Sequence, residues 1–189
     1  MKIVVVGKGG RGHALVRALS ESPGSPEIYC FPGSDAIFQI AKPVPASGLE
    51  SLVAWMEGNA IDLCVAGEES YLVTGEGLAN LCEKAGIPCW GPHFQSAQLE
   101  ASKEFAKQFL LRHGIPTGGA TATATLEEAR AAIGGKYPTV LKFDGLAAGK
   151  GVAVCLTERE AEDFLDEVFV QKRFGAGRVL VEEFLAGPD

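Results

Sequence analysis

The chain has little histidine, no long apolar run and no cluster of basic residues. His13, His93 and His113 are its three histidines, too far apart in sequence to suggest a metal site by spacing. No apolar run approaches the roughly 18 residues a membrane span needs, so no membrane is expected as a partner. With a formal charge of −7 and no basic stretch of about five residues, a general nucleic-acid surface is excluded. Cys30, Cys64, Cys82, Cys89 and Cys155 are odd in number and show no C-x-x-C spacing. They read as buried thiols of a reducing compartment, and the expected location is the cytoplasm. The four apolar residues between Lys2 and Gly7 predict a first strand rather than a signal peptide. There is no internal repeat and no low-complexity segment.

What is present suits a globular protein of one or two domains: 189 residues, 47% apolar and 22% charged. Lys2 to Val6 is a β-branched run of the kind buried on both faces of a parallel sheet. A glycine-rich turn and a helix to about Ser20 follow. Strands are predicted over 28–31, 61–66 and 88–90, with a weak edge strand over 42–45 because of its prolines. Helices are predicted over 49–56 and 71–84. This alternation implies an α/β domain with a parallel sheet and helices on both faces. A long helix over 98–113 comes next. The domain boundary is placed at Gly114, giving domains 1–114 and 115–189. The second domain reads as small α+β, with a helix over 126–133, strands over 139–141, 152–156 and 178–183, and a helix from Thr157 to about 172. Thr157 and Glu160 have the spacing of a capping box.

Two glycine-rich stretches carry the chemistry. Gly7, Gly9 and Gly12 fit G-x-G-x-x-G between a strand and a helix, the pattern of a dinucleotide fold. The acidic residue wanted at the end of the second strand is missing: Cys30, Phe31, Pro32 and Gly33 stand there. A NAD-binding oxidoreductase domain is therefore the weaker reading, and a helix N-terminus with Arg11 beside it still suits a phosphate. The second stretch, Leu141 to Val154, reads strand, loop, strand, with Gly145, Gly149 and Gly151 in the loop and Lys142 and Lys150 near its ends. It is not a Walker A loop, since three residues separate Gly145 from Gly149 and a strand follows Gly151. Lysines beside such a loop suit phosphate oxygens, and a plain β-hairpin turn is the alternative. Glu68 and Glu69 lie just past a strand end, where open α/β sheets bind ligands; a charge favourable to a helix N-terminus is the simpler account of Glu68. Lys103, read by itself, belongs to a solvated helix face. The strand end at Glu182, Glu183, Phe184 and Leu185 can offer one carbonyl and one N–H to an adenine edge.

These pieces occur together, in order, in one family. The stretches 7–13, 67–72, 90–103, 142–152 and 182–187 resemble phosphoribosylamine–glycine ligase of the ATP-grasp superfamily, and the resemblance runs the length of the chain. It implies a Rossmann-like pre-ATP-grasp domain followed by the small ATP-grasp subdomain, truncated. It also implies ATP-dependent joining of glycine to 5-phosphoribosylamine, in purine synthesis. Lys103 and Lys142 match lysines aimed at ATP phosphates, and Asp144 to Gly151, including Gly145, Gly149 and Lys150, matches the loop that closes over them. Glu182 to Leu185 matches the adenine strand, and Asp189 an acidic residue that holds the ribose. Gly9, Gly10, Arg11 and Glu69 match positions that face phosphoribosylamine. The family has Glu where this chain has Gly12, and Pro where it has Glu68. Its magnesium ligands lie beyond position 189, so the chain is expected to be an N-terminal fragment, inactive by itself, or a nucleotide-binding subunit that works with a C-terminal partner chain.

Overall fold

The computed structural model describes residues 1–147 and 149–187. The chain divides into two compact units, Met1–Ala97 and Gln98–Asp189.

In the first unit, β1 (Lys2–Gly7), β2 (Glu27–Pro32), β3 (Lys42–Pro43), β4 (Leu63–Ala66) and β5 (Cys89–Trp90) form a parallel sheet in the order β3-β2-β1-β4-β5. Alternation along β1 explains its unbroken β-branched sequence. Val4 and Val6 enter one apolar cluster with α2 (Leu49–Gly58) and α3 (Leu78–Lys84). Ile3 and Val5 enter a second cluster with Val16 of α1 (Gly10–Ser20). A central strand covered on both faces must be apolar at every position. Gly12 sits where α1 crosses β1; a Cβ there would stand 3.2 Å from the Gly7 carbonyl carbon.

The helix expected over 71–84 is interrupted. A 3-10 turn covers Glu69–Leu72, and α3 begins only at Leu78. Gly75 (φ +58°) and Gly77 (φ +86°) take left-handed conformations that break the spiral, and a Cβ on Gly77 would meet the Leu72 carbonyl at 2.6 Å.

The expected helix over 98–113 is likewise two: α4 (Phe94–Ala101) and α5 (Lys103–Arg112). Ser102 between them is extended, at φ −127° and ψ 115°. Its hydroxyl accepts from the Phe105 N–H and donates to Asp144, whose carboxylate also accepts from the Glu104 N–H at 3.1 Å. A hydroxyl and a carboxylate at the first turn satisfy donors that a continuous helix would have bonded internally. These contacts tie α5 to the second unit, whereas the sequence reading divided the chain after it, at Gly114.

In the second unit, β6 (Ala120–Thr123), β7 (Thr139–Asp144), β8 (Val152–Cys155) and β9 (Arg178–Glu183) form an antiparallel sheet in the order β6-β9-β7-β8. β6 comes from a small, polar stretch that carried no strand signal; pairing with β9 and the Thr123 hydroxyl bond to the Val179 carbonyl (2.8 Å) hold it. Leu141, Phe143, Cys155, Val179 and Val181 face α6 (Leu126–Ile133) and α7 (Glu158–Leu165) across one core. The Thr157–Glu160 capping box is present. The helix expected to reach about 172 ends sooner, with α7 passing into a π-helical turn over Asp166–Val170. The pleat puts Val140 and Lys142 of β7, and Leu180 and Glu182 of β9, on the face opposite this core.

Candidate functional site

In the first unit the carboxyl ends of β1, β4 and β5 meet. A cleft of about 470 Å³ opens there, lined by Arg11, Gly67, Glu69, Leu72, Trp90 and Pro92, among others. Arg11 and Glu69 form an ion pair across it. The Glu69 carboxyl is held below its usual range first by its own backbone N–H and then by the Arg11 guanidinium, against partial burial. Gly9 and Gly10 are not part of the cleft's lining. Gly9 is the N-cap of α1, and a Cβ on Gly10 would meet nothing within 4 Å.

Glu68, set aside in sequence as a helix-end charge, does more. Its carboxylate accepts the N–H groups of Lys8 (2.6 Å) and Gly9 (2.9 Å). The glycine turn thus already holds an anion, supplied by the chain. An incoming phosphate must displace that carboxylate or use the N–H groups that open α1 and the Arg11 guanidinium.

In the second unit, β7 and β8 form a hairpin whose loop carries Gly145, Gly149, Lys150 and Gly151. The Phe143 N–H bonds to the Gly151 carbonyl at 2.7 Å and the Lys150 N–H to the Ala147 carbonyl at 2.9 Å. Gly145 (φ +151°) and Gly149 (φ +77°) need glycine for their backbone. Gly145 and Gly151 also need it for space: a Cβ on Gly145 would lie 2.8 Å from the Phe143 ring, and one on Gly151 2.7 Å from the Ala147 methyl group. Buried Phe143, beside the Phe174 ring (centroids 5.2 Å apart), is the post to which the loop is fastened.

Lys103 donates to the Gly145 carbonyl at 3.0 Å, so this lysine touches the loop. Lys142 stands 2.7 Å from Glu182 on the face of the sheet opposite the α6 and α7 core. Asp144 closes β7 and caps α5, as described above; its carboxylate is engaged there and not in the loop. Glu183 turns its carboxylate to the Gly119 N–H at 2.8 Å. Phe184 and Leu185 are exposed apolar side chains, 41% and 67% accessible. Asp189 lies outside the described residues.

One residue of this site went unseen in sequence. Lys107, four residues beyond Lys103 on α5, is 9% exposed. Its ammonium donates to the Thr117 hydroxyl (2.7 Å) and the Gly118 carbonyl (3.0 Å) and lies 3.4 Å from Glu182. Glu182, itself 8% exposed, therefore sits between two lysines. The usable signal was spacing: Lys107 follows Lys103 by one helical turn and shares its face.

Comparison with known proteins places these two units. The N domain of phosphoribosylglycinamide synthetase matches residues 1–100, and the ATP-grasp (A) domain of the same synthetase matches residues 101–189. A phosphoribosylamine–glycine ligase of Ralstonia nicotianae is 41% identical over 194 residues, covering all of this chain and 46% of that protein. The trifunctional purine biosynthetic protein adenosine-3 of Drosophila melanogaster is 42% identical over 199 residues, again over the whole chain but only 15% of that protein. Among solved structures, phosphoribosylamine–glycine ligase of Thermotoga maritima superposes with a TM-score of 0.77 at 29% identity, over all of this chain and 45% of that one. The chain thus spans about half the length of the single-function ligases it matches. With both domain matches in order along its sequence, the chain belongs to the phosphoribosylglycinamide synthetase family.

Proposed function

We propose that these residues supply the phosphoribosylamine-side domain and part of the nucleotide cleft of a phosphoribosylamine–glycine ligase. In this reaction ATP phosphorylates the glycine carboxylate, and the amine of 5-phosphoribosylamine attacks the acyl phosphate. Glycinamide ribonucleotide, ADP and phosphate leave. The observation that carries the reading is a pair of lysines beside the glycine loop of the second unit: Lys142 stands against Glu182, and Lys103 holds the carbonyl of Gly145.

In this reading Lys103 and Lys142 turn from Gly145 and Glu182 toward the phosphates and neutralise the charge that moves between them. Glu182 positions Lys142. The loop from Gly145 to Gly151 covers the phosphates with its N–H groups and Lys150, keeping water from the acyl phosphate. The main chain of Glu183 to Leu185 meets the adenine edge, with Phe184 and Leu185 against its faces and Asp189 at the ribose. Arg11, Glu69 and the turn at Gly9 and Gly10 face phosphoribosylamine. The reaction belongs to the cytoplasm.

Magnesium does not fit the residues described. Among them no three carboxylates converge, and the one cluster with ligand spacing is of thiols, which a hard cation avoids. The metal ligands are assigned to sequence outside these 189 residues, and no step is routed through the metal here. A NAD-binding reading is not favoured, because Cys30, Phe31, Pro32 and Gly33 stand where a ribose-holding acid is wanted, and both domain matches are to a synthetase.

The test pairs the chain with a second polypeptide carrying the remaining half of a curated relative. Glycinamide ribonucleotide should form with the pair and not with either half, and Lys142→Met should abolish it. ATP should raise the melting temperature of the pair while NADH leaves it unchanged. Stabilisation by NADH but not ATP would sink the proposal; nucleotide binding without product would favour a non-catalytic nucleotide-binding subunit.

A further inference from the structure

Three of the five cysteines converge inside the first unit, although their sequence spacing gives no hint of it. Cys64 and Cys89 are register partners on the adjacent parallel strands β4 and β5, so they project to the same face, and Cys82 comes down on them from α3. The three sulfurs all lie within 4.8 Å of one another. Cys64 and Cys82 are fully buried among apolar residues; Cys89 is partly exposed and gives the cluster an opening. A cation about 2.3 Å from each of three sulfurs at the corners of a triangle sets those sulfurs about 4 Å apart. Small side-chain rotations therefore close the present triangle onto an ion.

We propose that Cys64, Cys82 and Cys89 form a three-sulfur site for a soft monovalent cation, copper(I). Sulfur donors select copper(I) over hard cations. Zinc asks for four ligands in structural sites, and among the described residues no imidazole or carboxylate joins the three sulfurs within that radius. Charge agrees with the geometry. A monovalent ion brings the least charge of the thiophilic metals into an apolar core, where an unpaired charge is costly. The site is independent of the ligase reading, since neither Lys103 nor Lys142 takes part in it.

The test is an anaerobic titration of the reduced full chain with copper(I), in competition with the chelator bicinchoninate. One copper per chain should be retained, with a change in the fluorescence of Trp90, the neighbour of Cys89. Bound copper should shield Cys64, Cys82 and Cys89 from alkylation by iodoacetamide, read by peptide mass spectrometry; this readout needs no variant. Cys89→Ser should weaken retention by roughly a hundredfold, and Cys30→Ser and Cys155→Ser should leave it unchanged. Surrender of all copper to the chelator, shielding of Cys30 or Cys155 instead, tighter retention of zinc than of copper, or a Cys64–Cys89 disulfide in place of metal binding would each overturn the proposal.

Discussion

The two glycine-rich loops look alike in composition and are built on different physics. In the first, none of Gly7, Gly9, Gly10 or Gly12 has a positive φ. Gly12 is required by the contact of α1 with β1, whereas Gly10 faces open space. The N–H groups of this turn are fixed by Glu68. In the second, Gly145 and Gly149 hold conformations that other residues avoid, and Gly145 and Gly151 crowd against Phe143 and Ala147. The first turn is thus a packed joint with an internal anion. The second is a loop strung from one aromatic ring, with Lys103 on its carbonyl. A glycine pattern reports that Cβ atoms are unwelcome; only the neighbours show whether packing, backbone or ligand is the cause.

The comparison breaks first at Phe143. Phe143→Ala should destabilise the second unit by about 3–5 kcal/mol, read from urea unfolding, while hydrogen exchange in the first unit stays unchanged. Glu182→Gln comes next, because it strands nearly buried Lys107. A loss of about 3 kcal/mol is expected, with recovery in the Lys107→Met/Glu182→Leu double variant; no recovery would mean that the lysine is not held by this pair. Gly145→Ala should cost about 1–3 kcal/mol from its backbone and the Phe143 contact, while Gly10→Ala should stay within about 0.5 kcal/mol. Equal effects at the two sites would erase the distinction between the loops.

Two smaller effects sharpen the first turn. Glu68→Ala frees the Lys8 and Gly9 N–H groups and removes a negative charge. Ribose 5-phosphate should then bind about tenfold more tightly, or about 1.4 kcal/mol, by calorimetry; weaker binding would show that the carboxylate itself holds the ligand. The smallest effect is that of Glu69. Its folded-state pKa is depressed, so its contribution is fully present above the unfolded value of about 4.3 and is lost as the pH falls through the lower folded value. The urea midpoint should be flat from about pH 6 to 8 and dip slightly in acid; Arg11→Ala should reduce the dip, which is small because the pair is exposed.

Much of the fold was legible because local signals and tertiary packing agreed. The unbroken apolar run of β1 implied a sheet covered on both faces, and Thr157 with Glu160 announced the start of α7. The misses share a cause. Ser102 breaks a helix because Asp144, 42 residues away, offers a better acceptor. β6 has no signal of its own and exists through its pairing with β9. Lys107 looks like any surface lysine until Glu182 and the Gly118 carbonyl close around it. Distant partners leave no trace in a window of sequence.

What the sequence determined by itself is therefore the α/β order of the first unit, the glycine-rich turns and the lysines beside the second of them, all written in local pattern. Tertiary structure alone decided which carboxylates meet which cations, that Glu68 occupies the first turn, and that Cys64, Cys82 and Cys89 share one point in space. Ion pairs, hydrogen bonds and sulfur clusters depend on separations of 3–5 Å between residues far apart in the chain, and those separations are set only when strands pair and helices pack.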